Sequence, residues 1–173
     1  SAATALKIRS GVNPAIWRGH LQTILPKPAK IAKVKHHKAL PYRAVPELIA
    51  RLKQIDGVSA LALEFTILNA SRTGEVIGGL KKEIEGDIWT IPADRMKARK
   101  EHRLPLCDRS IELLAIASAM DEGSPYLFSK NGKPLTNMAM PMLIRGMNLD
   151  VTIHGFRSTF RDWVSEETTH SPE

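Results

Sequence analysis

Four basic side chains in three separate stretches give this chain its capacity for chemistry. Arg72 lies in Ser71-Arg72-Thr73-Gly74-Glu75, and Lys97 in Arg95-Met96-Lys97, shortly before Arg103-Leu104-Pro105-Leu106. His154 and Arg157 share Thr152-Ile153-His154-Gly155-Phe156-Arg157. A guanidinium is a planar fork of donors that suits phosphate or carboxylate, and an imidazole exchanges protons near neutrality. His154 and Arg157 stand three apart, so on a helix both project from one side and can address one anion. Arg161 continues that side, while Phe156, Phe160, Trp163 and Val164 fall on the other and read as its buried face. Taken singly, each residue has a plainer account: a histidine satisfied locally at a helix start, and an arginine in a surface ion pair.

Positioning these groups requires a folded scaffold, and the hydrophobic pattern supplies one. Val45, Leu48, Ile49, Leu52 and Ile55 recur at helical spacing, with Pro46 suited to a first turn and Gly57 to a stop. A second helix over residues 59–69 is apolar nearly all round through Leu61, Leu63, Phe65, Ile67 and Leu68, which predicts a central place in the core. Residues 80–92 read as a hairpin turning at Glu85-Gly86-Asp87, and residues 102–106 as a short third strand. Asp108 is the expected N-cap of a helix over 109–120 whose apolar positions are Ile111, Leu114 and Ile116. Residues 121–135 read as a loop, followed by a Met-rich helix through Met138, Met142, Leu143 and Met147 that Pro141 is expected to kink. Thr152 is the expected N-cap of the last helix. The fold class is therefore α+β: mostly α-helical with a small three-stranded antiparallel sheet, not alternating βαβ units.

At 173 residues and 43% hydrophobic content the chain can bury a core. The net charge of +7 is placed unevenly. Residues 1–46 hold nine Lys or Arg and no Asp or Glu, whereas residues 47–173 hold sixteen and eighteen. We read residues 1–44 as a basic linker arm and residues 45–173 as the globular domain. The arm, with Lys33 and Lys35, either contacts a nucleic-acid backbone or is a solvated linker, and charge alone leaves both open. The run Arg95, Lys97, Arg99, Lys100 and Arg103 is open in the same way between a DNA contact and an exposed hairpin tip. The single Cys107 rules out an internal disulfide and a cysteine-rich zinc site, and reads as a small buried hydrophobe. His36-His37 have no evident partner ligands, so no metal is expected. No G-x-x-x-x-G-K-[ST] or G-x-G-x-x-G run occurs, which disfavours a nucleotide-powered enzyme. With no run of eighteen apolar residues and no signal-peptide pattern, no membrane partner is expected and the location is expected to be cytoplasmic.

The stretch Thr152-Ile153-His154-Gly155-Phe156-Arg157-Ser158-Thr159-Phe160-Arg161-Asp162-Trp163 resembles the His-x-x-Arg box of tyrosine recombinases, the phage-integrase family, especially its P4-like prophage branch. Asn13-Pro14-Ala15-Ile16-Trp17-Arg18-Gly19-His20-Leu21, Lys35-His36-His37 and Ala39-Leu40-Pro41-Tyr42 resemble the segment leading into that branch's catalytic domain. The stretches from Trp89 to Lys97 and from Arg103 to Leu106 are similar to its β-hairpin region. The resemblance implies the DNA breaking-rejoining catalytic fold, with Arg72 and Arg157 as the two catalytic arginines, Lys97 as the hairpin lysine and His154 as the box histidine. Lys100 competes with Lys97 for the lysine role. Glu75 falls at the acidic position after the first arginine, where a supporting role is implied; a helix-surface carboxylate is the alternative.

The implied reaction is transesterification of double-stranded DNA at attachment sites through a 3′-phosphotyrosyl link, performed by a homotetramer on bacterial nucleoid DNA. The residue types suit it. Two guanidiniums can hold the equatorial oxygens of the transition state, a lysine can protonate the departing 5′-oxygen and a histidine can move protons near the nucleophile. The covalent link conserves the phosphodiester energy, so no cofactor is implied. One element of the pattern is missing: no Tyr follows Arg157, and Tyr42 and Tyr126 lie elsewhere. We therefore expect a fragment of an integrase, truncated before its nucleophile and inactive alone. The alternatives are a non-catalytic DNA-binding remnant and, more remotely, a type IB topoisomerase relative.

Overall fold

The structure, a computed structural model, describes residues 16–25 and 37–170. It divides into two compact units, Ser1–His36 and His37–Glu173. In the first, the described residues form a bend with Gly19 at φ +80° and a single helical turn, Gln22–Ile24. Lys33 and Lys35 lie outside the described residues. The second unit begins at His37, eight residues before the domain start expected at 45. Backbone hydrogen bonds explain the difference: the Thr152 N–H donates to the Lys38 carbonyl at 3.0 Å and the Thr159 hydroxyl donates to the Leu40 carbonyl at 2.5 Å. Those two carbonyls need partners once covered, and the last helix and the turn before it supply them.

The second unit is mostly helical. Helix α1 (Val45–Leu52) carries Pro46 in its first turn, where a missing N–H costs nothing. Gly57, at φ +119°, makes the sharp entrance to α2 (Val58–Leu68), a conformation only glycine adopts freely. As its all-round apolar character predicts, α2 is central: Ala62, Leu63 and Phe65 are fully buried, and α1, α4, α5 and α6 pack on it. A short helix α3 (Thr73–Ile77) follows. Residues 81–83 make a 3-10 turn where a strand was expected, and the hairpin proper is β1 (Ile84–Glu85) with β2 (Ile88–Ile91), turning at Gly86. Strand β3 (His102–Pro105) completes the antiparallel sheet in the order β1-β2-β3, with Trp89 opposite Leu104. The Trp89 and Phe128 rings both pack on Phe65, with centroids 5.5 and 5.3 Å away.

Helix α4 (Asp108–Met120) starts one residue earlier than expected and buries a different face. Ser110, Leu113 and Ala117 point inward, while Ile111 and Ile116 are exposed. A polar contact sets the rotation: the buried Glu64 carboxylate of α2 accepts two hydrogen bonds from Arg109, at 2.7 and 2.9 Å. A buried carboxylate without a partner is costly, so Arg109 must face α2 and the isoleucines turn outward. Cys107 takes the N-cap position and is exposed, not buried. The expected loop over 121–135 contains a second hairpin, β4 (Ser129–Lys130) and β5 (Lys133–Pro134). Asn131 and Gly132, both at positive φ, form its turn, a strong Asn-Gly signal that the sequence reading passed over.

Helix α5 (Ala139–Gly146) begins so late that Pro141 lies in its first turn, with no intrahelical partner to lose, and no kink results. Its methionines divide, Met140 and Met147 buried and Met138 and Met142 exposed. Helix α6 (Gly155–Glu167) buries Phe156 but leaves Phe160 and Trp163 about two-fifths exposed, at 41% and 42%. Its buried side is instead Gly155, Phe156 and Thr159, since the small residues 155 and 159 face the backbone of residues 38–40. No helix among the described residues is long and apolar enough to cross a membrane.

Gly155 marks the tightest of these approaches, because a Cβ there would sit 2.1 Å from the Lys38 carbonyl oxygen. Gly155→Ala is expected to destabilise the fold by about 2–3 kcal/mol in urea denaturation, as overpacking against backbone does. Gly123→Ala, with nothing within 4 Å, is the control expected to be near neutral.

Candidate active site

The site begins with the reversal between α2 and α3. Ala70 sits at φ +45°, the Ser71 N–H donates to the Thr66 carbonyl at 3.2 Å, and Arg72 follows as the N-cap residue of α3. Glu75, buried one turn on, grips Arg72 twice: Oε2 accepts its backbone N–H at 2.8 Å and Oε1 its guanidinium at 2.5 Å. The carboxylate thus caps the helix and orients the arginine together. The same reversal presents the Ala70 carbonyl to Arg157, whose Nη1 donates to it. Arg157 and Arg72 are near neighbours, and burial followed by the charge of Arg72 pushes the Arg157 guanidinium below its usual range, partly offset by Glu75.

His154 occupies the turn just before α6, not the helix itself. Thr152, the expected N-cap, lies in the turn before α6, whose N-cap position is His154; its hydroxyl accepts the Gly155 N–H at 3.0 Å and closes that turn. Burial, and then the charges of His37, Arg157, Arg72 and Lys97, hold the His154 imidazole below its ordinary value. Arg157, Arg72 and Lys97 thus stand near enough for their charges to act on His154, and the His37 ring packs beside it, with its centroid 4.4 Å from that of His154. No sequence signal separated His37 from the basic arm, although the His36-His37 pair precedes the Lys38 carbonyl against which Gly155 packs.

Two cavities flank the cluster. One of 530 Å³ is lined by Arg72, Glu75, Lys97 and Arg99, and another of 760 Å³ by His154, Arg157, His102 and Arg161. Lys97 lies on the exposed connection between β2 and β3 and lines the first cavity, whereas Lys100 lines neither. This is the geometric ground for preferring Lys97. Arg95 departs from the expected DNA contact: it pairs with the buried Glu83 carboxylate and donates to the Glu75 carbonyl at 3.2 Å. Glu83 also accepts from the Trp89 indole at 3.1 Å, so Arg95 is tied into the sheet and its neighbours. Arg99 and Lys100 stay exposed. Neither tyrosine reaches the cluster's cavities: Tyr42 donates to Glu166 and Glu167 at 3.0 and 2.7 Å, and Tyr126 pairs with Leu80.

Chemically, Arg72 and Lys97 line one cavity with the carboxylates Glu75 and Asp94, and Arg157 lines the other with His154, so positive charge predominates across both. Such an arrangement suits a phosphate-like anion, which relieves the repulsion and accepts paired hydrogen bonds from both guanidiniums. The prophage integrase IntS of Escherichia coli (strain K12) is 30% identical over 142 residues, covering 76% of this chain and 37% of that protein. The prophage integrase IntZ of the same organism is 28% identical over 151 residues, covering 83% and 38%. The integrase of Enterobacteria phage P4 is 27% identical over 157 residues, covering 78% and 36%.

The chain is a relative of the phage integrases. It spans well under half the length of each of these three relatives. The Tn1549 transposon integrase, solved with transposon right end DNA, superposes with a TM-score of 0.70 at 16% identity, over 98% of this chain and 64% of that one. A lambda integrase tetramer bound to a Holliday junction gives 0.61 at 14% identity, over 80% and 46%. The fold is that of a tyrosine-recombinase catalytic domain. No protein-family model matches the chain.

Arg95 and Arg99 should separate in a stability measurement. Arg95→Ala leaves the Glu83 carboxylate buried without its cation and is expected to cost about 3–5 kcal/mol in urea denaturation. Arg99→Ala, exposed and outside every ion pair among the described residues, is expected to stay within about 0.5 kcal/mol of the parent.

Proposed function

We propose that this chain is the phosphate-activating part of a site-specific DNA recombinase that integrates or excises mobile DNA. The observation that carries the reading is that Arg72, Arg157 and Lys97 stand near enough to act on His154, in two cavities where Glu75 grips Arg72 and Asp94 is the other carboxylate. A scissile phosphodiester would take the place of the missing negative charge. Arg72 and Arg157 would hold its non-bridging oxygens more tightly as charge grows on them, Lys97 would protonate the departing 5′-oxygen, and His154 would handle the proton of the attacking hydroxyl. The relatives suggest a tyrosine as that nucleophile. Neither Tyr42 nor Tyr126 is placed for the role, so the chain is expected to bind DNA but not to cleave it unaided. Double-stranded attachment-site DNA, a homotetramer formed on it and a bacterial cytoplasm with nucleoid association complete the proposal. Arg99 and Lys100, and the arm's Lys33 and Lys35, would supply backbone contacts.

Fluorescence anisotropy with a short labelled duplex tests the binding half. Arg72→Ala combined with Arg157→Ala is expected to weaken affinity by about tenfold or more and to reduce the salt slope by roughly one per lost phosphate contact. Equal affinity and slope in parent and variant would refute it. The chemistry needs a hybrid in which residues 37–173 replace the matching stretch of the phage P4 integrase, assayed on that phage's attachment DNA. A covalent protein–DNA adduct, lost on Arg157→Ala, is expected; binding without any adduct reduces the chain to a DNA-binding remnant.

The depressed titration of His154 adds a pH signature. An anion favours the imidazolium, so binding takes up a proton and affinity rises as pH falls from above the bound-state value toward the lower free-state value. His154→Ala is expected to flatten that rise in the same anisotropy titration.

A further inference from the structure

We propose that His37 is a positioning residue for His154, its imidazole packed on that of His154 so that the two rings act as one coupled pair beside the Arg72, Arg157 and Lys97 cations. The centroids are 4.4 Å apart with the rings tilted by 55°. Both histidines stand next to anchored backbone, which separates this contact from a chance meeting of surface side chains. On one side, Lys38 accepts the Thr152 N–H at 3.0 Å and its ammonium pairs with Asp150. On the other, the turn holding His154 is closed by Thr152 and abuts the Lys38 carbonyl at Gly155, where no side chain would fit. The segment at 37–39 and the turn at 152–155 are thus held together by their main chains, and the imidazoles are left facing each other.

The physical consequence falls on His154. A charge on that ring is disfavoured by His37 beside it, by Arg157 from α6, by Arg72 from the α2–α3 reversal and by Lys97 from the β2–β3 connection, while His102 and Arg161 line the same cavity. After burial, His37 is the largest influence depressing His154. His37 therefore adds to the penalty on a charged His154 while its ring packs against that imidazole. An incoming phosphate, whose negative charge offsets that penalty, favours the protonated form of His154. The role assigned to the phosphate rests on the proposed function; the coupling between the rings does not.

Histidine-selective NMR titration of the full chain, with and without inorganic phosphate, tests the pair. In the parent, His154 is expected to titrate below the ordinary imidazole value. His37→Phe, which keeps a ring and removes its charge, is expected to move the midpoint upward. His37→Ala is expected to do the same and also to abolish the ring-current shift on His154. His37 is exposed, so both variants should keep the parent's amide spectrum and urea midpoint. A His154 titration identical in parent and both variants would overturn the proposal. The duplex affinity of the parent, measured separately, reports on the proposed function alone: failure to bind DNA sinks that reading and leaves the coupling of the two rings standing or falling on its own titration.

Discussion

Electrostatic repulsion inside the site is the constraint around which the unit is arranged. Arg72 and Arg157 lie close enough for one guanidinium to destabilise the charge of the other, and Lys97 and His37 add to the field at His154. Left to themselves these side chains would separate into solvent. They are held by parts of the fold that cannot move apart cheaply: Glu75 grips Arg72 from α3, the Ala70 carbonyl holds Arg157, and the Thr152 turn fixes His154. The scaffold maintains an unfavourable grouping of charge, and a site of that kind gains most when an anion enters it.

The scaffold tolerates this because its own charges are settled elsewhere. Glu64 is satisfied by Arg109, and Glu83 by Arg95 and the Trp89 indole. Each buried carboxylate ties two elements together, α2 to α4 in one case and the sheet to the connection after β2 in the other. Arg95 therefore works from behind the site. Its bond to the Glu75 carbonyl steadies the helix whose carboxylate orients Arg72. Stability and site geometry are linked through that one contact.

The segment at 37–40 plays a comparable part at the other end. It hydrogen-bonds to the turn and first residues of α6, requires glycine at 155, and brings His37 to His154. A change in the path of residues 37–40 would therefore bear directly on the turn that holds His154.

Much of this was legible in the residue order. The helical periodicity of α1 and α2, the Glu85-Gly86-Asp87 turn and the short third strand depend on neighbours within a few positions, and local pattern reports them well. Arg72, Lys97, His154 and Arg157 could be singled out because residue type and flanking frame travel together in sequence. Tertiary structure decided the rest. Whether α4 turned Ile111 inward depended on Glu64, some forty-five residues away, needing Arg109. Whether Arg95 faced solvent depended on Glu83, and Phe160 and Trp163 stayed partly exposed because Thr159 found the Leu40 carbonyl. Position along the chain sets which groups are present and how they are spaced on one element. Which of them become partners is set by the desolvation of charges and carbonyls when distant elements meet, and no local pattern records that.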